Sequence, residues 1–453
     1  MVASPVLAQQ KLSPPSAAPL DIDFATDPVL SLGRSSADFE PFRAAVAAAV
    51  LRHPANREGA ANSAEAKVLV KQARDALLPS VDVTINSYKV LSREFSNDPE
   101  NILERARPAQ RTDALLNVNQ KFIDFGAGAN RVRAAGARLR AADADLEGTA
   151  GQVALQTIAA WYDVFGYGVL VDLTQSAIDD QRKLRTDVEE RVRQGASAEG
   201  DLAQIDSYIA RSQTHLAQYQ RLLDDARSRL EELTGKPAPV RLDRAPVYGR
   251  TITSRDMAEF AAARDVPQVR SADAEADAAR LEARAVREEQ LPQVSVGIDA
   301  GRYGVFENPK DYDIRGLIVM QQHLFGGGHV QADQYTARAN AATAHADRIR
   351  EEAVRDASIA WSDVAALERQ LDSLETAYIA SRRSRDVIVA RFRAERGSYL
   401  DVIASEEAYF DAATAYVQAL MELDATRYVL LSRTGGLLDV IGIKPDQLGA
   451  KSE

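Results

Sequence analysis

The sequence predicts a mixed α+β chain, mainly α, in which a helix–strand–strand–helix unit occurs twice. Three observations predict it: landmarks that recur at one fixed offset, two proline-free windows of helix-forming composition, and four short stretches that alternate apolar and polar residues. The first copy carries Phe125-Gly126-Ala127-Gly128, Trp161, Arg191-Val192-Arg193, Asp201-Leu202 and Thr234-Gly235. The second carries Phe325-Gly326-Gly327-Gly328, Trp361, Arg391-Phe392-Arg393, Asp401-Val402 and Thr434-Gly435, each 200 residues later. A looser pair, Leu78-Pro79-Ser80 and Leu291-Pro292-Gln293, is 213 residues apart, so the first copy has extra residues between that motif and its Phe-Gly run. Such self-similarity marks a duplicated structural unit.

The repeat divides the chain into a flexible N-terminal segment (1–35), a first repeat (36–235), an inter-repeat segment (236–254), a second repeat (255–436) and a C-terminal tail (437–453). Strands are expected at about 80–90, 113–123, 292–302 and 312–324. Val81, Val83 and Ile85 alternate with Asp82, Thr84 and Asn86, and Val294, Val296 and Ile298 alternate with Ser295, Gly297 and Asp299. Period two over about ten residues gives a strand one apolar and one polar face, and the length suits a tilted membrane-spanning strand. Polar Ser92–Arg111 is the long hairpin loop and Tyr303–Tyr312 the short one. Long helices are expected over about 129–195 and 329–396. All 17 prolines lie outside Ala109–Lys236 and Lys310–Lys444, and Leu155, Ile158, Tyr162, Phe165, Val169 and Leu173 form one apolar stripe. An uninterrupted helix of roughly 65 residues is about 100 Å long, which points to a coiled-coil-like assembly. Trp161 and Trp361 sit on matched apolar stripes and read as packing residues.

Composition removes several function classes. The chain has 453 residues, no cysteine and a net charge of −11. Disulfide frameworks and zinc–thiolate sites are therefore excluded, and nucleic acid is not expected as a partner. No run of about 18 apolar residues exists, which rules out a transmembrane helix but not a barrel strand. Residues 1–8 read either as the remnant of a signal peptide or as an ordinary terminus. Two hairpins supply four strands, and an open four-stranded sheet with a lipid-compatible face cannot stand alone in a membrane. Three copies would pool twelve strands, within the range of outer-membrane barrels. The alternative is a soluble coiled-coil scaffold carrying two half-exposed hairpins.

Leu77-Leu78-Pro79-Ser80-Val81, Gln120 to Gly128, Arg191-Val192-Arg193-Gln194-Gly195, and Arg391-Phe392-Arg393 with Tyr399-Leu400-Asp401-Val402 resemble the repeat landmarks of the TolC family of outer-membrane channel proteins. The likeness runs over roughly residues 40 to 440. It implies a homotrimeric twelve-stranded β-barrel in outer-membrane lipid, continued by a long α-helical coiled-coil tunnel in the periplasm. It also implies a periplasmic adaptor protein, an inner-membrane ABC or proton-driven transporter, and no enzymatic activity. Residues 236–254 would form part of a girdle around the tunnel.

The resemblance places the aperture at the turns near Gly195 and Gly397. Asp401 takes the place of an acidic residue that projects into the narrowest opening, where three copies would favour cations. Ser398 and Asp401 also fit a helix capping box, which needs no pore. A second acid three residues on is replaced by Ala404, with Glu406 and Glu407 out of register. A family latch joins an acid, here Asp201, to a tyrosine and an arginine of the second turn. Phe392 stands in the tyrosine's place and Gly397 in the arginine's, with Arg396 beside it, so an Asp201–Arg396 attraction across neighbouring helical hairpins is expected. Glu395 replaces the glycine that copy one keeps as Gly195.

Gly126, Gly128, Gly326 and Gly328 mark strand-to-helix junctions. Gly126-Ala127-Gly128 lacks the third glycine of a dinucleotide fingerprint, and Gly326-Gly327-Gly328-His329 lacks the Lys-Ser/Thr of a phosphate loop. His53, His215, His323, His329 and His345 show no metal-ligand spacing, so neither a metal nor a cofactor is expected. Two features favour a type I protein secretion component over a multidrug efflux channel: no cysteine near the start, and an ending, Leu430 to Leu438, like that of secretion members.

Overall fold

The computed structural model describes residues 11–449 apart from 17, 35, 37, 97–101, 247–251, 308–309 and 323–325. The possible signal remnant (1–8), His323 and Phe325 lie outside the described residues. Helices α1 (Phe39–Arg52) and α2 (Pro54–Asp75) lead into strands β1 (Ser80–Lys89) and β2 (Gln110–Ile123). Helices α3 (Ala127–Arg193) and α4 (Glu199–Thr234) complete the first copy. The second copy repeats the order with α5 (Arg255–Asp265), α6 (Pro267–Glu288), β3 (Gln293–Tyr303), β4 (Asp311–Gln321), α7 (Gly328–Arg393) and α8 (Tyr399–Arg433). Helices α3 and α7 run uninterrupted for 67 and 66 residues.

Each copy splits its leading helix in two, and proline is the cause. Pro54 and Pro267 open α2 and α6, and the residues before them, His53 and Val266, are forced into extended backbone with ψ of 135° and 128°. A proline bars its predecessor from helical geometry while suiting the first helical position. The long hairpin loop holds one further helical turn, Ile102–Ala106.

The chain forms two compact units, and these cut across the repeats. One comprises Met1–Ala60, Asp145–Val269 and Ile349–Glu453; the other comprises Ala61–Ala144 and Arg270–Arg348. The second unit holds a four-stranded antiparallel sheet in the order β1-β2-β3-β4. Its register puts Val83, Leu116, Ala300 and Ile314 in one row, and Asp82, Asn117, Asp299 and Arg315 in the adjacent row on the opposite face. The apolar face is bare: Val83, Ile298 and Ile318 are 70%, 50% and 79% exposed. A contiguous uncovered apolar face marks a surface that meets lipid or a partner.

The first unit holds the main core. Phe42 of α1 stands edge-on to Trp161 of α3 at 5.3 Å, with Tyr428 of α8 beside it. Trp161 is buried and donates to the Asp243 carbonyl at 3.0 Å, while Trp361 is half-buried against the cluster around Val364. Burying one such apolar side chain contributes roughly 1.5–3 kcal/mol. The expectation of a flexible stretch over 1–35 fails for its described part: Leu12, Val29, Leu30 and Leu32 are buried in this core. Leu437, Ile441, Ile443 and Leu448 of the C-terminal tail are buried there too.

Candidate functional site

The two turns, between α3 and α4 and between α7 and α8, are built alike. In the first, Gly195 N donates to Val192 O (3.0 Å) and Ala196 N to Arg191 O (2.8 Å); in the second, Glu395 N donates to Phe392 O (3.1 Å) and Arg396 N to Arg391 O (2.9 Å). Both end their helix through a left-handed residue, as helix C-termini commonly do. Gly195 has φ 75° and Glu395 φ 63°. A side chain in that conformation costs roughly 1–2 kcal/mol, so the second turn keeps the geometry of the first without its glycine. At the other ends of α3 and α7, Gly126 and Gly326 have φ of 99° and 116°. A Cβ at Gly128 or Gly328 would collide with Leu77 or Gln290.

The acids of the two turns sit in matched positions and do different things. Asp201 lies in the first turn of α4 and accepts from Ala198 N at 3.1 Å, closing one orphan N–H of that helix. Asp401 lies in the first turn of α8, exposed. The cap there is Ser398, whose Oγ accepts from Leu400 N at 3.1 Å. Capping is thus done by Asp201 in one turn and by Ser398 in the other, and the Asp401 carboxylate faces solvent.

Within one subunit no hydrogen bond or ion pair joins Asp201 to Arg396 among the described residues; Arg396 and Gly397 are exposed. The turns are joined instead by Arg191, one of the landmarks of the repeat. Its guanidinium lies 4.1 Å over the Phe392 ring and its Nη2 donates to the Phe392 carbonyl at 3.4 Å. A cation over an aromatic face is an attractive contact, so Phe392 makes a link that needs no hydroxyl. Phe392 and Tyr399 pack 6.5 Å apart in a cluster with Val188, Ile205 and Val402. The Tyr399 hydroxyl is buried without a hydrogen-bond partner among the described residues. Burial pushes it up from the usual phenol range, and the charges of Asp201 and Asp206 push the same way. Arg185 binds Asp206 through Nε (2.5 Å) and Nη2 (3.3 Å), tying α3 to α4.

Two turns into α8, Glu406 meets Arg385 of α7 at 3.3 Å. Burial raises the Glu406 carboxyl above its ordinary value, and Asp180 and Asp386 add to the rise against the pull of Arg385. The folded protein therefore binds this proton more tightly than the unfolded chain does. Stability gained from Glu406 grows as pH falls from the raised value toward the ordinary 4.5, and is lost as pH rises through the raised value. Glu406→Gln is expected to flatten that slope, read from unfolding midpoints between neutral pH and pH 4.5. An unchanged slope would show that the carboxylate is ionised at no cost.

Among the described residues, no three His, Asp or Glu side chains converge as metal ligands, and no helix is long and apolar enough to cross a membrane. Residues 45–236, covering most of the first repeat, match the family model described as outer membrane efflux protein. Over that stretch, somewhat less than half of its length, the chain is similar to the outer membrane efflux protein family.

Members of this family are channels rather than enzymes, placed in the outer membrane. The fold of solved outer membrane channels extends over both repeats here. The outer membrane protein VceC of Vibrio cholerae is similar at a TM-score of 0.78 and 17% identity, over 88% of this chain and 96% of that one. The MtrE outer membrane channel of Neisseria gonorrhoeae, solved in an open state, has a TM-score of 0.74 at 18% identity, over 87% and 89%. The Campylobacter jejuni CmeC outer membrane channel has 0.75 at 15%, over 89% of each. At these identities the likeness is one of fold. No curated protein matches the chain by sequence.

Proposed function

We propose that three copies of this chain close their sheets into one twelve-stranded barrel and serve as the outer-membrane export channel of a tripartite transporter. The observation that carries the reading is the sheet, with a bare apolar face and two open edges, β1 and β4. Four strands in strict antiparallel alternation leave β1 and β4 running in opposite directions, so the β4 edge of one copy pairs antiparallel with the β1 edge of the next. Closure removes every edge and satisfies every ladder hydrogen bond, as lipid demands. In the assembly the Asp401 carboxylates form a ring around the opening, with Asp201 attracting Arg396 of a neighbouring hairpin. A periplasmic adaptor and an inner-membrane ABC or proton-driven transporter complete the machine.

Asp401→Ala tests the ring in planar bilayers. The native trimer is expected to show a small, cation-selective conductance, and the variant a larger and less selective one. Because Ser398 supplies the cap, the variant keeps its fold; pores indifferent to the change would remove Asp401 from the aperture.

The cargo we assign is a secreted protein, on the resemblance of Leu430–Leu438 to members of type I secretion systems. Small-molecule efflux is the second reading, favoured by the family description itself. Disrupting the gene separates them: normal protein secretion with drug hypersensitivity would reverse the order.

A further inference from the structure

The described part of the N-terminal segment crosses helices of both hairpins. Leu12 N donates to Ser176 Oγ of α3 at 3.2 Å. On α7, Arg385 Nη2 donates to the Ser13 carbonyl at 2.8 Å, and Ser16 N donates to Asp386 Oδ2 at 3.3 Å. Further along, Asp27 is paired with Arg382 and accepts from the Tyr378 hydroxyl at 3.0 Å to each oxygen. The same Asp27 caps the helical turn Pro28–Ser31 through Val29 N and Leu30 N. Arg385 stacks 4.2 Å over Tyr409 of α8, and its Nε binds Asp386 at 2.6 Å. One short segment thus ties α3 of the first hairpin to α7, and through Arg385 to α8 of the second.

Two features separate this from ordinary packing. The anchoring charges are buried, with Asp27 and Arg385 1% exposed and Asp386 fully enclosed. Buried ions are costly unless fully partnered, and their best-attested use is to fix one arrangement over its neighbours. The contacts are also placed where small shifts matter, since Asp386 lies seven residues before the end of α7 and Glu406 five residues after Asp401.

We propose that residues 12–16 and 18–27 are a positioning strap, holding the second helical hairpin against the first and so setting the width of the opening that Asp401 frames. The proposal rests on the channel reading. Loosening the strap leaves the barrel intact and lets the α7–α8 turn swing outward.

The test uses the full-length trimer in planar bilayers, with thermal unfolding alongside. Asp27→Asn keeps the helix cap but removes the charge facing Arg382, and is expected to raise single-channel conductance at least twofold. The chain has no cysteine, so Leu12→Cys with Ser176→Cys supplies one clean cross-link. Added to Asp27→Asn, the oxidised cross-link is expected to restore native conductance, and reduction to release it. Asp27→Asn pores of native conductance, or a raised conductance that the cross-link leaves unchanged, would overturn the strap. Tyr378→Phe, which deletes a single hydroxyl, is read by the same criterion should Asp27→Asn not fold. Native protein that forms no pores sinks the channel reading and the strap with it, whereas native pores with unresponsive variants sink the strap alone.

Discussion

Asp424→Ala will destabilise the fold by on the order of 3–5 kcal/mol, the usual result of removing one partner from a buried ion pair. Asp424 is buried on α8 and receives Arg244 Nε at 2.5 Å and Nη2 at 2.9 Å. Arg244 is itself buried, and its Nη1 donates to the carbonyls of Leu32 (3.1 Å) and Gly33 (2.6 Å). The variant leaves that guanidinium enclosed with carbonyls alone. Arg427 also loses Asp424 (3.3 Å) but keeps Glu368 at 3.1 Å. Denaturant midpoints measure the loss. Arg244→Met combined with Asp424→Leu is expected to recover most of it, since apolar pairs of similar volume often replace buried ion pairs without cost. A native midpoint for the single variant would mean that water reaches Arg244.

Ile298→Arg and Asp299→Arg, one residue apart, are expected to part completely. Ile298 pairs with Val118 and Gly316 on the bare apolar face, whereas Asp299 pairs with Asn117 and Arg315 on the polar face. An arginine facing lipid near the bilayer midplane costs about 2–4 kcal/mol, and the proposed trimer would incur it three times. Ile298→Arg should therefore be missing from the outer-membrane fraction as folded trimer, while Asp299→Arg inserts and changes only ion selectivity. Equal insertion of the two would mean that the apolar face does not meet lipid.

The plan of four strands and two long helices was legible because its signals are local. Alternation over ten residues defines a strand face, and the lack of proline across each long window permits a helix of that length. The split of each leading helix was written in Pro54 and Pro267, themselves 213 residues apart like the Leu-Pro pair, yet a proline at a helix start is easily passed over as punctuation. The turns were legible through the repeated Arg-x-Arg. What Arg191 does there was not, because its ring partner belongs to the other repeat. Least legible was the strap. Residues 11–34 are rich in proline and lack periodicity, and their anchors lie 164 to 372 residues away. No local pattern announces that Asp27 will meet Arg382.

For the proposed trimer, the open edges of the sheet also dictate the order of events in assembly. A newly made subunit carries two unsatisfied rows of peptide groups, and it keeps them until it meets its partners. Entry of a lone subunit into lipid would strip water from both rows with nothing to replace it, so partner capture must precede membrane entry or accompany it. The population of such a trimer depends steeply on subunit concentration, and its assembly is exposed to any foreign strand that docks on β1 or β4 first. A folded, solitary subunit is thus itself a species that needs protection in the cell.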